Sequence, residues 1–178
     1  MLNMKDIQYL FCKCVGKVLR NEKELLSKFF QRQGVKIGSN VHINCNILTN
    51  ESSLIEIGDN VTISHDVQFI THDNSISRCL PKANLIGRIK IGNRCFIGAR
   101  STILYGVELC DDIIVAAGSV VTRSFKEPNI VIGGNPAKKI ATYDSLREKY
   151  NDKAVNFKGL SEEEKEKIFN DENILVKR

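Results

Sequence analysis

From residue 91 onward an aliphatic side chain returns at every sixth position: Ile91, Ile97, Ile103, Leu109, Val115 and Val121. Glycine often follows it, as at Gly92 and Gly98, and four residues after each aliphatic stands another small or apolar residue: Cys95, Ser101, Val107, Ile113 and Ser119. The same register appears earlier, in Ile37-Gly38, Ile43, Ile57-Gly58, Ile63 and Phe69. A period of six fits neither the 3.6 of a helix nor the 2 of an ordinary strand. It fits a coil with three flat faces, each consuming one hexapeptide, in which every sixth side chain points inward and stacks on its equivalents in adjacent coils. Glycine or asparagine then permits the sharp corners, as in Gly58-Asp59-Asn60 and Gly92-Asn93. A β-sandwich with strands near that spacing does not account for so strict a period. The expected fold is mainly β, a parallel β-helix.

The register breaks twice. Ile43 to Ile57 is fourteen residues, two more than two repeats require, and Phe69 to Ile91 is twenty-two, four more than three repeats require. The second break holds Asn74, Ser75, Ser77, Arg78, Pro81 and Asn84, which reads as a loop extruded over about 73–88, and loops on rigid scaffolds are where binding chemistry concentrates. The coil is expected over 35–141, between N-terminal helices (1–34) and a C-terminal helical tail (142–178). Ile7, Leu10, Phe11, Cys14, Val15, Val18 and Leu19 form an amphipathic face, continued by Leu25, Leu26, Phe29 and Phe30 in a second helix. Such a face caps an open end of the coil or packs on a partner; weak membrane association through its lysine-bearing side is the lesser alternative. Ser161 to Glu164 has the capping-box pattern and opens a charged helix through Phe169.

Of the 178 residues, 42% are apolar and 26% charged, the balance of a soluble globular chain. No apolar stretch is long enough to span a bilayer, and Lys5, Lys13 and Lys17 interrupt any signal-peptide core, so the expected compartment is the cytoplasm. Six cysteines without a CxxC pair read as reduced thiols rather than a disulfide framework or zinc knuckle. A net charge of +5 suits an anionic small molecule; without a dense basic run or aromatic interleaving, nucleic acid is not expected.

Of the three histidines, His42 and His65 lie within regular turns, where a surface or corner role is the better reading. His72 sits in Phe69-Ile70-Thr71-His72-Asp73-Asn74, where the repeat ends and the loop begins, a position suited to a general base. Three segments, Ile91-Gly-Asn-Arg-Cys-Phe-Ile-Gly-Ala-Arg100, Val115-Ala-Ala-Gly-Ser-Val-Val-Thr-Arg123 and Ile132-Gly-Gly-Asn-Pro-Ala-Lys138, resemble the hexapeptide-repeat acyltransferases. The likeness is greatest to the galactoside, maltose and polysaccharide O-acetyltransferases, and it covers roughly residues 35–141. The resemblance implies a left-handed parallel β-helix of hexapeptide repeats with helical appendages, a homotrimer with sites between subunits, acetyl-CoA as acyl donor without a metal, and a sugar or glycan acceptor. It implies His72 as the catalytic base in direct transfer from thioester to hydroxyl, without an acyl-enzyme. Asn44 matches an acceptor-binding asparagine, with an ordinary corner residue as the equal alternative. Ala99 matches a backbone N–H at the thioester, Ala117 and Thr122 line the pantetheine arm, and Arg123 and Lys138 match the cations at the nucleotide phosphates. Exposed Arg and Lys are more often solvated charge, so these rest on the motif. Two departures bear on the acceptor pocket: the approach to His72 is two residues shorter than in galactoside-type members, and Asp73 stands where they have proline. By analogy, capsule or lipopolysaccharide sugars suit this version better.

Three other functions compete. N-acetylation of a nucleotide-linked amino sugar would use the same base and fold. A zinc hydratase on such a prism needs three converging imidazoles, which the spacing of His42, His65 and His72 does not supply. A non-catalytic trimeric scaffold would leave acetyl-CoA unbound.

Overall fold

A computed structural model describes residues 4–19 and 21–176; the side chain of Leu19 lies outside that description. The chain divides into two compact units, one ending at Ile140 and the other beginning at Ala141. The first opens with two helices, α1 (Met4–Leu19) and α2 (Glu22–Arg32). Then come β1 (Lys36–Ile37) and β2 (His42–Ile43), followed by β3 (Ile55–Ile57), β4 (Thr62–Ile63) and β5 (Gln68–Ile70). An excursion carries β6 (His72–Asp73) and β7 (Leu85–Ile86). The path resumes with β8 (Ile89–Ile91), β9 (Phe96–Ile97), β10 (Thr102–Leu104), β11 (Glu108–Leu109), β12 (Ile113–Val115), β13 (Val120–Val121), β14 (Ile130–Gly134) and β15 (Ala137–Thr142).

These strands build three sheets, β1-β3-β8-β11, β2-β4-β9-β12-β14-β15 and β5-β10-β13, which the chain visits in rotation. From coil to coil the pairing is parallel, and Ile91 aligns with Leu109, Ile97 with Val115 and Ile103 with Val121. Each coil thus takes 18 residues, three hexapeptides. The six-residue period is the signature of this stacking: each inward aliphatic contacts its equivalents one coil away, and none of these residues is more than 1% exposed. Each such burial contributes roughly 1.5–3 kcal/mol.

The corners bear out Asn60 as a residue of unusual backbone angle, but not Gly58 or Gly92. One edge takes a left-handed residue in every coil, namely Asn40, Asn60, Arg94, Asp112 and Asn129, with φ between 52 and 60°. Gly58 and Gly92 just before them are not left-handed. They are glycines because coils touch there: a Cβ on Gly58 would lie 2.9 Å from the carbonyl carbon of Gly92, and one on Gly92 would lie 2.6 Å from that of Cys110. Side chains serve the same edge, since the Asp59 N–H donates to Asn93 Oδ1 and the Asn93 N–H to Asp111 Oδ1, each at 2.8 Å. Backbone donors left free by the bend are thereby satisfied.

The register also corrects the length of the second break. Ile57 aligns with Ile91 and Phe69 with Ile103, an offset of 34 instead of 18, so the excursion adds 16 residues. Only one hexapeptide step separates Phe69 from Ile91, not three. Inside the excursion, β6 pairs antiparallel with β7, a 3₁₀ turn spans Ser75–Arg78, and the Gly87 N–H donates to the Thr71 carbonyl at 3.0 Å to close the neck.

α2 lies against β1 and β2, burying Leu26, Phe29 and Phe30 over the first coil. α1 packs on α2 through Tyr9, whose ring stands 6.4 Å from Phe29 and 6.0 Å from Phe30. The expected apolar face of α1 does not cap the coil within one chain: Ile7, Leu10, Phe11, Cys14 and Val18 remain exposed, which leaves the alternative of packing on a partner, while Tyr9 and Gly16 are buried. In the second unit, α3 (Tyr143–Tyr150) and α4 (Glu162–Phe169) both open on capping boxes, from Thr142 to Ser145 and from Ser161 to Glu164. The rings of Phe157 and Phe169 lie 5.9 Å apart.

Candidate functional site

The two irregularities in the register meet in space. The first adds two residues between β2 and β3, since Ile43 aligns with Ile63 at an offset of 20, and it carries Thr49 and Glu51. The second begins with Thr71 and His72. Four side chains join the two: His72 Nδ1 lies 3.0 Å from Glu51 Oε2, Thr71 Oγ1 donates to the same oxygen at 2.9 Å, and Thr49 Oγ1 stands 3.0 Å from it. The two hydroxyls are 2.6 Å apart. Hydrogen bonds from Thr71, His72 and Thr49 hold the Glu51 carboxyl below its ordinary range, so it is ionised at neutral pH. An ionised carboxylate at Nδ1 fixes the proton there and leaves Nε2 as a free acceptor.

His72 borders a cavity of about 350 Å³. Asn46, Thr49 and Asn50 from the first coil, Leu48 and Ile70, and Lys5 from α1 help to line it. Asp73 secures the neck of the loop: its Oδ1 accepts the Ser75 N–H at 2.8 Å and its Oδ2 the Tyr105 hydroxyl at 3.4 Å. Its carboxyl is lowered chiefly by the contact with Ser75.

The other expected site residues sort onto two edges of the prism. Asn44, Ala99 and Ala117 follow β2, β9 and β12 respectively, at the edge where that sheet turns toward β5-β10-β13. Thr122 and Arg123 follow β13 on the opposite edge of β5-β10-β13, the edge that His72 occupies two coils away, about 10 Å along the axis. Lys138 stands exposed on β15. Within one chain, the structure therefore brings Thr122 and Arg123 to the edge of His72 and leaves Asn44, Ala99 and Ala117 one face away. The cavity takes Asn46, not Asn44. The three imidazoles stay apart, on β2, on a corner and at the loop neck; His42 is lowered by burial and then by Lys23. Among the described residues no three His, Cys, Asp or Glu side chains are grouped to hold a metal, and no helix is long and apolar enough to cross a membrane.

Glu51 escaped the sequence reading. The available signal was the first register break, whose two extra residues displace Thr49–Glu51 from the regular coil toward the loop.

The comparisons agree with this architecture. A family model described as a hexapeptide repeat of succinyl-transferase matches residues 88–123. Protein CapG of Staphylococcus aureus is 36% identical over 88% of this chain and 90% of its own length. The galactoside O-acetyltransferase of Escherichia coli is 32% identical over 63% of this chain, which spans 56% of that enzyme. A crystal structure of a hexapeptide-repeat acetyltransferase from Vibrio cholerae, complexed with acetyl coenzyme A, superposes with a TM-score of 0.51 at 28% identity, covering 61% of this chain and 60% of that one. The chain belongs to the hexapeptide-repeat acyltransferase family.

Proposed function

We propose that this chain transfers the acetyl group of acetyl-CoA to a hydroxyl of a sugar, in a capsule, lipopolysaccharide or other glycan, with His72 as general base. The observation that carries the reading is the His72–Glu51 pair at the rim of a cavity of mixed polar and apolar lining. Glu51 holds the Nδ1 proton, and Nε2 takes the proton of the acceptor hydroxyl as its oxygen forms the new ester bond. Bound acetyl-CoA supplies the activated thioester. As the carbon–sulfur bond breaks, the imidazolium returns its proton to the departing thiolate, so His72 ends as it began. Glu51 is a positioning residue, acting through His72.

The residues present fit a long anionic donor. Arg123 and Lys138 are exposed, and neither pairs with a carboxylate among the described residues. Arg123 instead stacks over Phe125, 5.2 Å from the ring centre, which leaves its donors free for phosphate. Ala99 and Ala117 present small side chains that permit close approach of the pantetheine arm, and Thr122 adds a hydroxyl beside Arg123. Because Ala99 and His72 lie on different edges, an Ala99 N–H at the thioester would have to come from a second chain. That division supports a homotrimer of left-handed prisms with sites between subunits, and on this reading an Asn44 contact to the acceptor would lie across the same interface.

Titration calorimetry with acetyl-CoA, followed by thiol release on a panel of sugars, tests the reading. Saturable binding at one site per chain, weakened by Arg123→Ala or Lys138→Ala, is expected. An alkali-labile product marks an ester, and a stable one would move the reading to N-acetylation. Folded protein that ignores acetyl-CoA would leave only a scaffold.

A further inference from the structure

The cavity beside His72 is asymmetric in charge. Among the described residues no Asp or Glu lines it, and apart from His72 itself their only ionisable side chain there is Lys5, in the first turn of α1. Lys5 makes no ion pair among the described residues. The neighbouring acid, Asp6, is turned onto the first coil, where its Oδ1 accepts from Asn46 Nδ2 at 2.9 Å. That contact ties the first turn of α1 to the cavity wall. The ionised Glu51 is not part of the lining but stands behind it, against His72 Nδ1 at 3.0 Å. The lining also holds Asn46, Thr49 and Asn50, which can exchange hydrogen bonds with hydroxyls, and the apolar Leu48, 68% exposed, and Ile70. Such a mixture suits a sugar ring, with hydroxyls at its rim and C–H groups on its faces.

We propose that this cavity takes an acidic sugar, a uronate, with its carboxylate at Lys5 and its reacting hydroxyl at His72. The inference rests on the acetyl-transfer reading and adds a substrate class to it. A lysine–carboxylate contact is a charge-assisted hydrogen bond, stronger than a neutral one. The fixed charge of Glu51 acts in the same sense, because it repels the sugar's carboxylate from the His72 end and so orients the ring. A neutral hexose would satisfy the amides but leave Lys5 without a partner.

The test compares methyl glucuronide and methyl galacturonide with methyl glucoside and methyl galactoside, using saturation-transfer NMR on the full chain. Binding of the uronides about five- to tenfold tighter is expected, with the ratio shrinking as salt is raised. Lys5→Gln should bring the ratio to about one, and Lys5→Arg should keep it. Equal binding of acidic and neutral partners, absence of uronide binding, or a preference that survives Lys5→Gln would each overturn the inference. Thiol release from acetyl-CoA, followed in the same samples, separates the two readings. Release with the neutral glycosides alone keeps the transferase and rejects the uronate. Lys5-dependent uronide binding without any release keeps the anion subsite and counts against acetyl transfer.

Discussion

In the proposed mechanism His72 and Glu51 divide the work of one base between two side chains. His72→Ala should lower turnover by about two to four orders of magnitude while acetyl-CoA binding and the far-ultraviolet dichroism stay as they are. Full activity in that variant would remove the mechanism. Glu51→Gln keeps the shape of the pair but not its charge, so the imidazole loses the partner that holds its Nδ1 proton. A drop in kcat of about ten- to hundredfold, with KM for acetyl-CoA unchanged, is the expected outcome, by analogy with other groups that orient a functional histidine. A change confined to KM would place Glu51 in binding instead. His72 was legible in the chain because it interrupts a period at the start of a polar stretch. Glu51 was not, because 21 residues separate it from His72 and nothing local marks a carboxylate that will face an imidazole.

The two helices before the coil show that one periodic pattern can serve two different faces. Both α1 and α2 have amphipathic spacing, but only α2 turns its apolar side chains inward. Phe30 is fully buried and Phe11 is 68% exposed. Phe30→Ala should therefore cost about 3–5 kcal/mol in denaturant unfolding, whereas Phe11→Ser should stay within about 0.5 kcal/mol. A large loss from Phe11→Ser would mean that its ring is covered in the assembled protein. Corner residues carry a similar lesson. Glycine suggested special backbone angles, yet at Gly58 and Gly92 the constraint is contact with the next coil, and a clash between residues 34 or 18 positions apart has no local trace.

At the scale of the whole molecule, the packed interior of the coil and of its helical cap penalises charge. Burial pushes the Cys45 thiol from 9.0 up to about 12, the Cys95 thiol from 9.0 to about 11, and the Tyr9 hydroxyl from 10.0 to about 12. In the unfolded chain these groups ionise at their ordinary values, while in the folded chain they keep their protons. Above roughly pH 9 the unfolded state thus binds fewer protons, and stability should fall as pH rises toward about 12. Denaturation midpoints measured between neutral pH and about pH 11 should decline, and Cys45→Ala with Cys95→Ala should flatten the decline. A curve unchanged by those substitutions would show that the thiols are not the cause. Fold class was readable from the chain alone because a six-residue period imposes the same stacking on every coil. The convergence of Thr49, Glu51, Thr71 and His72, the outward face of α1, and the sorting of the remaining site residues onto two edges were decided only in three dimensions. Each depends on offsets of 18, 20 or 34 residues between stacked coils, and such offsets become neighbours only when the coil closes.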